Sequence, residues 1–232
     1  MFDPLSLHTL TRLGEAQILL PAAVLGLVAA GRAGLPATVQ WMVLTGVGAS
    51  LTLLSKLAFI GWGVGWAWAD FTGVSGHTLF ASAVLPPLAL LLSQGRTAAT
   101  RSAAIGLAIT LAAAVGVSRV QLGAHSVSEV LAGWALGGAT AALAWPGLSR
   151  LVHRSGQPAH SWPALAVLLW GVLAVEQAAP SRSHERVTAL ALHLSGRSEP
   201  YQRADLHRDA AALHAPRASG WMTDARIAGL RR

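Results

Sequence analysis

Apolar residues in this chain arrive in blocks, each about as long as a helix needs to cross a hydrocarbon layer, roughly 20 residues. The blocks lie at about residues 16–30, 38–59, 77–92, 103–117, 127–145 and 162–178. The last carries an acid, Glu176. In lipid every backbone N–H and C=O must find its partner inside the protein, and runs of this length do so as helices. The expected fold is therefore all-α, a polytopic transmembrane helical bundle of about six spans with a polar C-terminal tail. Composition agrees: the 232 residues are 53% hydrophobic and 12% charged, against about 25% charged in a soluble domain.

The chain divides into a membrane-embedded part, residues 1–179 with its core at 38–146, and a tail, residues 180–232. Residues 1–13 are mildly amphipathic and suit a membrane surface. The tail holds nine arginines and five acids and no spanning block; Val187 to Leu194 is apolar at mixed spacing, so part of it is expected to be helical. Zero cysteines exclude disulfides and thiolate metal sites. The net charge of +7 points to membrane topology and anionic lipid, not nucleic acid, because no basic patch is interleaved with aromatics.

Loop charges give an orientation. Arg32, then Arg96 and Arg101, then Arg150 and Arg154 occupy the first, third and fifth connections, which hold no acids. Positive residues favour the cytoplasmic side, so the second and fourth connections face outward, and the tail does too if the sixth block spans. Arg12 before the first block and Val28-Ala29-Ala30 at its end resemble a signal peptide and its cleavage site. Retention of the block as a span fits the alternation better. Trp62, Trp66 and Trp68 follow the second block, where interfacial aromatics belong.

Ionisable residues are scarce between positions 33 and 148: Asp70 and Glu129 are the acids, and Lys56, Arg96, Arg101 and Arg119 the bases besides histidine. Such groups are costly near lipid and mark function. His125 and Glu129 are four apart at the start of a helical block, hence on one face. The carboxylate can accept a hydrogen bond from one imidazole nitrogen and leave the other free to attack. Ser118-Arg119 closes the preceding block, and Arg119 offers a planar fork suited to phosphate. Ser75-Gly76-His77 opens the third block, where free amides and a glycine admit an anion, and His77 could protonate a leaving oxygen. Lys56, the single lysine, ends the second block. All these groups fall on the same expected membrane face.

Ser75-Gly76-His77, with Ser118-Arg119 followed by His125 and Glu129, resembles the signature of the type 2 phosphatidic acid phosphatases. Their superfamily includes bacterial acid phosphatases and vanadium haloperoxidases. The pattern is Lys-x6-Arg-Pro, Pro-Ser-Gly-His and Ser-Arg-x5-His-x3-Asp, and the likeness covers about residues 38–146. The resemblance implies that His125 forms a phosphohistidine, that His77 protonates the departing group, and that Lys56, Ser75, Gly76, Ser118 and Arg119 hold the phosphate. Val74 stands in place of proline and Glu129 in place of aspartate. Gly63 and Val64 stand where Arg-Pro is expected, so one phosphate-binding cation is missing, and Arg197 or Arg203 of the tail is a candidate substitute.

The function expected is a lipid phosphatase of the cytoplasmic membrane with its site on the outer, periplasmic face. It would act on phosphatidate, phosphatidylglycerol phosphate or a polyprenyl diphosphate, with no metal or other cofactor. Two rivals are a vanadate-dependent oxidase and a catalytically impaired binding or scaffold protein of the same fold. Other features have plainer readings. Gly61, Gly63 and Gly65 suit a bend or close packing, and Gly133 and Gly137 an internal helix contact. Asp70 reads as a solvated loop acid, and His184, His193, His207 and His214 lack metal-ligand spacing.

Overall fold

The computed structural model describes residues 4–154, 162–177 and 182–214. The regular elements among them are helical: α1 (Pro4–Arg12), α2 (Ala16–Trp62), α3 (Gly76–Leu92), α4 (Ala98–Gln121), α5 (Val127–Arg154), α6 (Trp162–Gln177), α7 (Ser183–Ser195) and α8 (Arg203–His214). A short 3-10 turn, Ala67–Ala69, and an isolated bridge between Trp66 and Phe71 shape the loop after α2. Three helices, α2, α4 and most of α5, are long and apolar enough to cross a membrane, while α3 and α6 are shorter apolar helices. The architecture is a membrane-type helical bundle.

The first two apolar blocks are not separated by a loop. Both lie in α2, which folds back on itself at Gly31, where φ is 63° and ψ −173°. That combination is open essentially to glycine alone. The chain therefore reverses within one residue, and residues 32–37, expected as a connection, are already helical. Pro36 follows in the second arm and leaves the Arg32 carbonyl, four residues back at the reversal, without an intrahelical donor. The two arms of α2 run in opposite directions beside α3: Gly14 lies against His77 and Gly26 against Leu88, whereas Gly48 lies against Leu79 and Thr52 against Gly76.

Helix α3 is the axis of the bundle, buried over most of its surface from Thr78 to Leu91, with Phe80, Leu85 and Ala89 half-buried. Helix α5 approaches it through Gly133 and Gly137. A Cβ at Gly133 would sit 2.8 Å from the Ser75 carbonyl oxygen, and one at Gly137 2.5 Å from that of Leu79. The pair is thus an internal packing seam. A second lock comes from Pro87. Lacking an N–H, it cannot bond the Ala83 carbonyl four residues back, and the fully buried Trp41 donates its indole Nε1–H to that oxygen at 2.8 Å. Helix α6 packs against the first arm of α2, with Trp170 Nε1 donating to the Ile18 carbonyl at 2.8 Å.

One end of this bundle carries Gly31, Arg96, Arg101 and Arg150. At the other end meet α1, the close of α2, the starts of α3 and α5, the close of α4, and the tail helices. The tail docks on the glycine-rich close of α2. Tyr201 N donates to the Ile60 carbonyl at 2.9 Å, and its ring covers Gly63. Ala191 and Leu206 form a small core with Leu57, Phe59 and Ile60. The glycines there serve packing, as their spacing after a helix suggests. Residues 215–232 of the tail lie outside the described residues.

Removing the indole donor would leave the Ala83 carbonyl buried without a partner, which costs about 1–3 kcal/mol. Trp41→Phe is expected to lower the thermal unfolding midpoint in detergent accordingly; an unchanged midpoint would show that the lock contributes nothing.

Candidate active site

The site is built around the start of α5. Ser126, Val127, Ser128 and Glu129 form a capping box: Glu129 N donates to Ser126 Oγ at 3.4 Å, and Ser126 N donates to Glu129 Oε2 at 3.2 Å. The box fixes a carboxylate at the positive end of a helix. His125 precedes it, and Nδ1 lies 2.6 Å from Glu129 Oε2. A carboxylate can only accept, so Nδ1 carries the proton and Nε2 is left as the basic nitrogen.

The other oxygen of Glu129 faces a second set of donors. Thr72 N donates to Oε1 at 2.8 Å and Thr72 Oγ1 at 2.5 Å. Arg203 Nη2, from α8, donates to the same oxygen at 2.8 Å. The Glu129 side chain is only 1% exposed, and these partners are what make a buried carboxylate tolerable. The two carboxylate oxygens thus divide the work, Oε2 taking His125 and Ser126 N and Oε1 the Thr72 loop and Arg203.

His125 reaches this place because α4 ends abruptly. The amides of Ala124 and His125 both donate to the Arg119 carbonyl, at 3.1 and 3.2 Å, and Gly123 turns the chain in the left-handed region at φ 65°. The guanidinium of Arg119 points back to α1, with Nη1 donating to Thr11 Oγ1 at 3.1 Å. Lys56 projects from the last turns of α2, its stem packed on Gly73. Val74 N donates to Ser55 Oγ at 3.0 Å, tying the loop before α3 to the same helix.

Lys56, Gly76, His77, Arg119, His125, Glu129 and Arg203 line one cavity of about 1060 Å³. Its floor includes Ala49, Leu53 and Phe80, and its walls include Glu15 from the start of α2 and Ser183, His184 and Thr188 from α7. Ser75 and Ser118 are fully buried beside the cavity and do not line it. Ser75 Oγ accepts from Thr78 Oγ1 at 2.9 Å, and Ser118 Oγ donates to the Val115 carbonyl at 2.7 Å. Both serve their own helices, although Ser75 N also donates to the Glu129 carbonyl at 3.1 Å and so sets α3 against α5.

The cations divide into two kinds. Among the described residues neither Lys56 nor Arg119 is ion-paired. Arg203 is fully engaged: Nη1 contacts the Asp70 carbonyl at 2.5 Å and Asp70 Oδ2 at 2.7 Å, and Nη2 contacts Glu129. Arg197 does not line the cavity; it stacks over the Tyr201 ring, 4.3 Å from its centroid. Asp70, expected as a solvated loop acid, instead pairs with Arg203 and with His207 Nε2 at 2.8 Å. Burial opposes its ionisation, but the bonds from Arg203 and His207 outweigh this and hold its carboxyl below the usual range. For His125 burial is the largest influence. With help from Lys56 and Arg119 it overcomes the Glu129 contact and lowers the imidazole pKa.

Sequence reasoning missed Thr72, Thr11 and Glu15. Thr72 is a neutral loop residue and Thr11 a neutral residue of the last turn of α1, with no pattern to mark either. A cue for Glu129 did exist, since Ser-x-x-Glu before an apolar run is the capping-box signature.

A membrane-type bundle gathers at one end two histidines, a buried carboxylate and, among the described residues, two cations outside any ion pair, a set suited to a phosphate group. A family model described as the PAP2 superfamily matches residues 33–153, and the chain belongs to that superfamily. The family implies a phosphatase-type hydrolase acting on a phosphate substrate. A curated relative from Klebsiella pneumoniae, described as an uncharacterized 22.5 kDa protein in the cps region, is 35% identical over 175 residues, which is 74% of this chain and 82% of that protein. No solved structure matches the chain.

Glu129→Asp would restore the residue usual in the motif but shorten the side chain by a methylene. It could not then reach His125 and Thr72 at once. The variant is expected to lose about 1–3 kcal/mol of stability, the cost of buried polar groups left unpaired, read as a lower thermal midpoint. A midpoint equal to or above the parent's would contradict the bridging role.

Proposed function

We propose that the protein hydrolyses a lipid phosphate or diphosphate through a phosphohistidine on His125. The observation that carries this reading is the Nδ1 contact of His125 with buried Glu129, which leaves Nε2 as the nucleophile on a residue lining the same cavity as Lys56 and Arg119. The substrate phosphate sits between those two cations and the first-turn amides at Gly76 and His77. Nε2 attacks phosphorus, the bond from phosphorus to the ester or anhydride oxygen breaks, and His77, held as imidazolium by the bound phosphate anion, gives that oxygen its proton. Water then attacks the phosphohistidine and passes its proton to His77, releasing inorganic phosphate and restoring both histidines. Lys56 and Arg119 stabilise the charge that builds on the phosphoryl oxygens, an effect worth several kcal/mol for a well-placed group.

A lipid substrate is supported by the apolar helices around the cavity and by Ala49, Leu53 and Phe80 on its floor. Phosphatidate, phosphatidylglycerol phosphate and polyprenyl diphosphates share the required chemistry. The cytoplasmic membrane, with the site on the outer face, is supported by the arginines at the opposite end of the bundle, following the positive-inside tendency. The rival reading, an impaired scaffold of the same fold, draws on Gly63, which stands at the missing arginine and lies under Tyr201.

Phosphate release from phosphatidic acid and from a polyprenyl diphosphate in detergent tests the two readings. His125→Ala is expected to abolish release, orthovanadate to inhibit it, and EDTA to leave it unchanged. No His125-dependent release across that panel would sink the enzyme reading, and loss of activity in EDTA would sink the metal-free mechanism.

The pH profile is a further check. The neutral imidazole is the attacking form, so activity falls as pH drops through the His125 pKa. Because burial lowers that pKa, the acid limb of kcat/KM is expected below the ordinary histidine value of about 6.5. Arg119→Ala, which removes a positive neighbour, is expected to move the limb upward, and an acid limb of the parent protein at or above the ordinary value would contradict the assignment.

A further inference from the structure

Arg203 has no place in the phosphohistidine scheme above, yet it reaches deeper into the site than any other tail residue described. It does not replace the missing motif arginine as a phosphate ligand, because both terminal nitrogens already contact carboxylates. From this geometry we infer that Arg203 is a positioning residue: the docked tail helix α8 supplies a guanidinium that fastens Glu129 from behind, making the tail part of the active site. This rests on the phosphatase reading.

The carboxylate of Glu129 has two jobs on its two oxygens. Oε2 must stay on His125 Nδ1 to fix the tautomer, and it can do so only if the group does not rotate. Rotation is blocked at Oε1, where Thr72 N, Thr72 Oγ1 and Arg203 Nη2 converge within 2.8 Å. Of these only Arg203 is a cation. A neutral His125 offers Glu129 no countercharge, and a buried carboxylate without one is costly. Arg203 Nη2 also lies 3.3 Å from Thr72 Oγ1, closing the set.

Arg203 is itself held. Asp70 binds its Nη1 through both the backbone carbonyl and Oδ2, and accepts from His207 as well. Arg203 and His207 are four apart and so project from one face of α8. The helix is anchored beside them by Tyr201 N on the Ile60 carbonyl and by Leu206 against Phe59 and Ile60. A chain of contacts therefore runs from the docked tail through Arg203 and Glu129 to the nucleophilic imidazole. Pro200, Tyr201 and Gln202 line the cavity next to Arg203, so the same segment walls it.

The test uses the full chain in detergent, with phosphatidic acid and a polyprenyl diphosphate as substrates. Arg203→Ala is expected to lower kcat about 10–100-fold, the scale for losing a partner that orients a reacting group. KM should change less than about 3-fold, since no contact with substrate is lost. Lys56→Ala, which removes a group that both holds the phosphate and stabilises the transition state, should raise KM as well as lower kcat. Millimolar guanidinium chloride is expected to restore part of the kcat of Arg203→Ala and none of His125→Ala. Arg203→Lys should recover only part, because a point charge cannot hold Asp70 and Glu129 in one plane. If Arg203→Ala does not fold, Arg203→Lys and Asp70→Asn carry the test, both with reduced kcat and unchanged KM. A wild-type kcat in these variants, with His125→Ala inactive, overturns the role of Arg203 and leaves the phosphatase standing. A rise in KM alone would make Arg203 a substrate ligand and also overturns it. No His125-dependent release from the parent protein overturns both readings together.

Discussion

A buried carboxylate at the start of α5 is the constraint around which this end of the molecule is arranged. Glu129 is 1% exposed and must be matched by donors on every side, because an unpaired charge there would cost several kcal/mol. Its donors come from four places: the preceding turn, the loop before α3, the helix start itself and the tail. Satisfying one side chain therefore draws together α5, α8 and the loop that leads into α3. His125, Gly76 and His77 are brought to the same cavity as a consequence.

The bundle beneath supplies rigidity. Helix α3 is central because small residues let its neighbours close in, with Gly133 and Gly137 of α5 almost touching its backbone. Pro87 opens a carbonyl that Trp41 closes from the second arm of α2. A proline that would weaken an isolated helix thus becomes a fixed joint between two of them. The arms of α2 and the start of α3 converge at the cavity, so Lys56 and His77 sit on well-packed helices, which favours precise placement of their side chains.

Membership of the PAP2 superfamily sets the chemistry in outline, while the departures from its usual motif define what is particular here. Where the motif has Arg-Pro, this chain has the helix-ending Gly63, and the space above it is occupied by Tyr201 of the tail. Where the motif has aspartate, a longer glutamate reaches both the histidine and Arg203. The two changes are physically coupled. A glycine-rich close to α2 lets the tail dock, and the docked tail brings the cation that the longer carboxylate meets.

The sequence by itself determined the helical class, the polar tail and the pairing of His125 with Glu129. Each depends on local periodicity: apolar blocks of spanning length, or two residues four apart on one helix face. The reversal at Gly31 was hidden, because its two arms read as blocks joined by a loop and only the backbone conformation shows a one-residue turn. Ser75 and Ser118 belong to the motifs, yet which way a hydroxyl turns depends on neighbouring carbonyls, and both turned inward. Asp70 looked like a solvated loop acid because its partners, Arg203 and His207, lie more than 130 residues away. Tertiary structure alone decided which of the site's cations are held by carboxylates and which, among the described residues, are not, since charge pairing depends on distance in space and not on position along the chain.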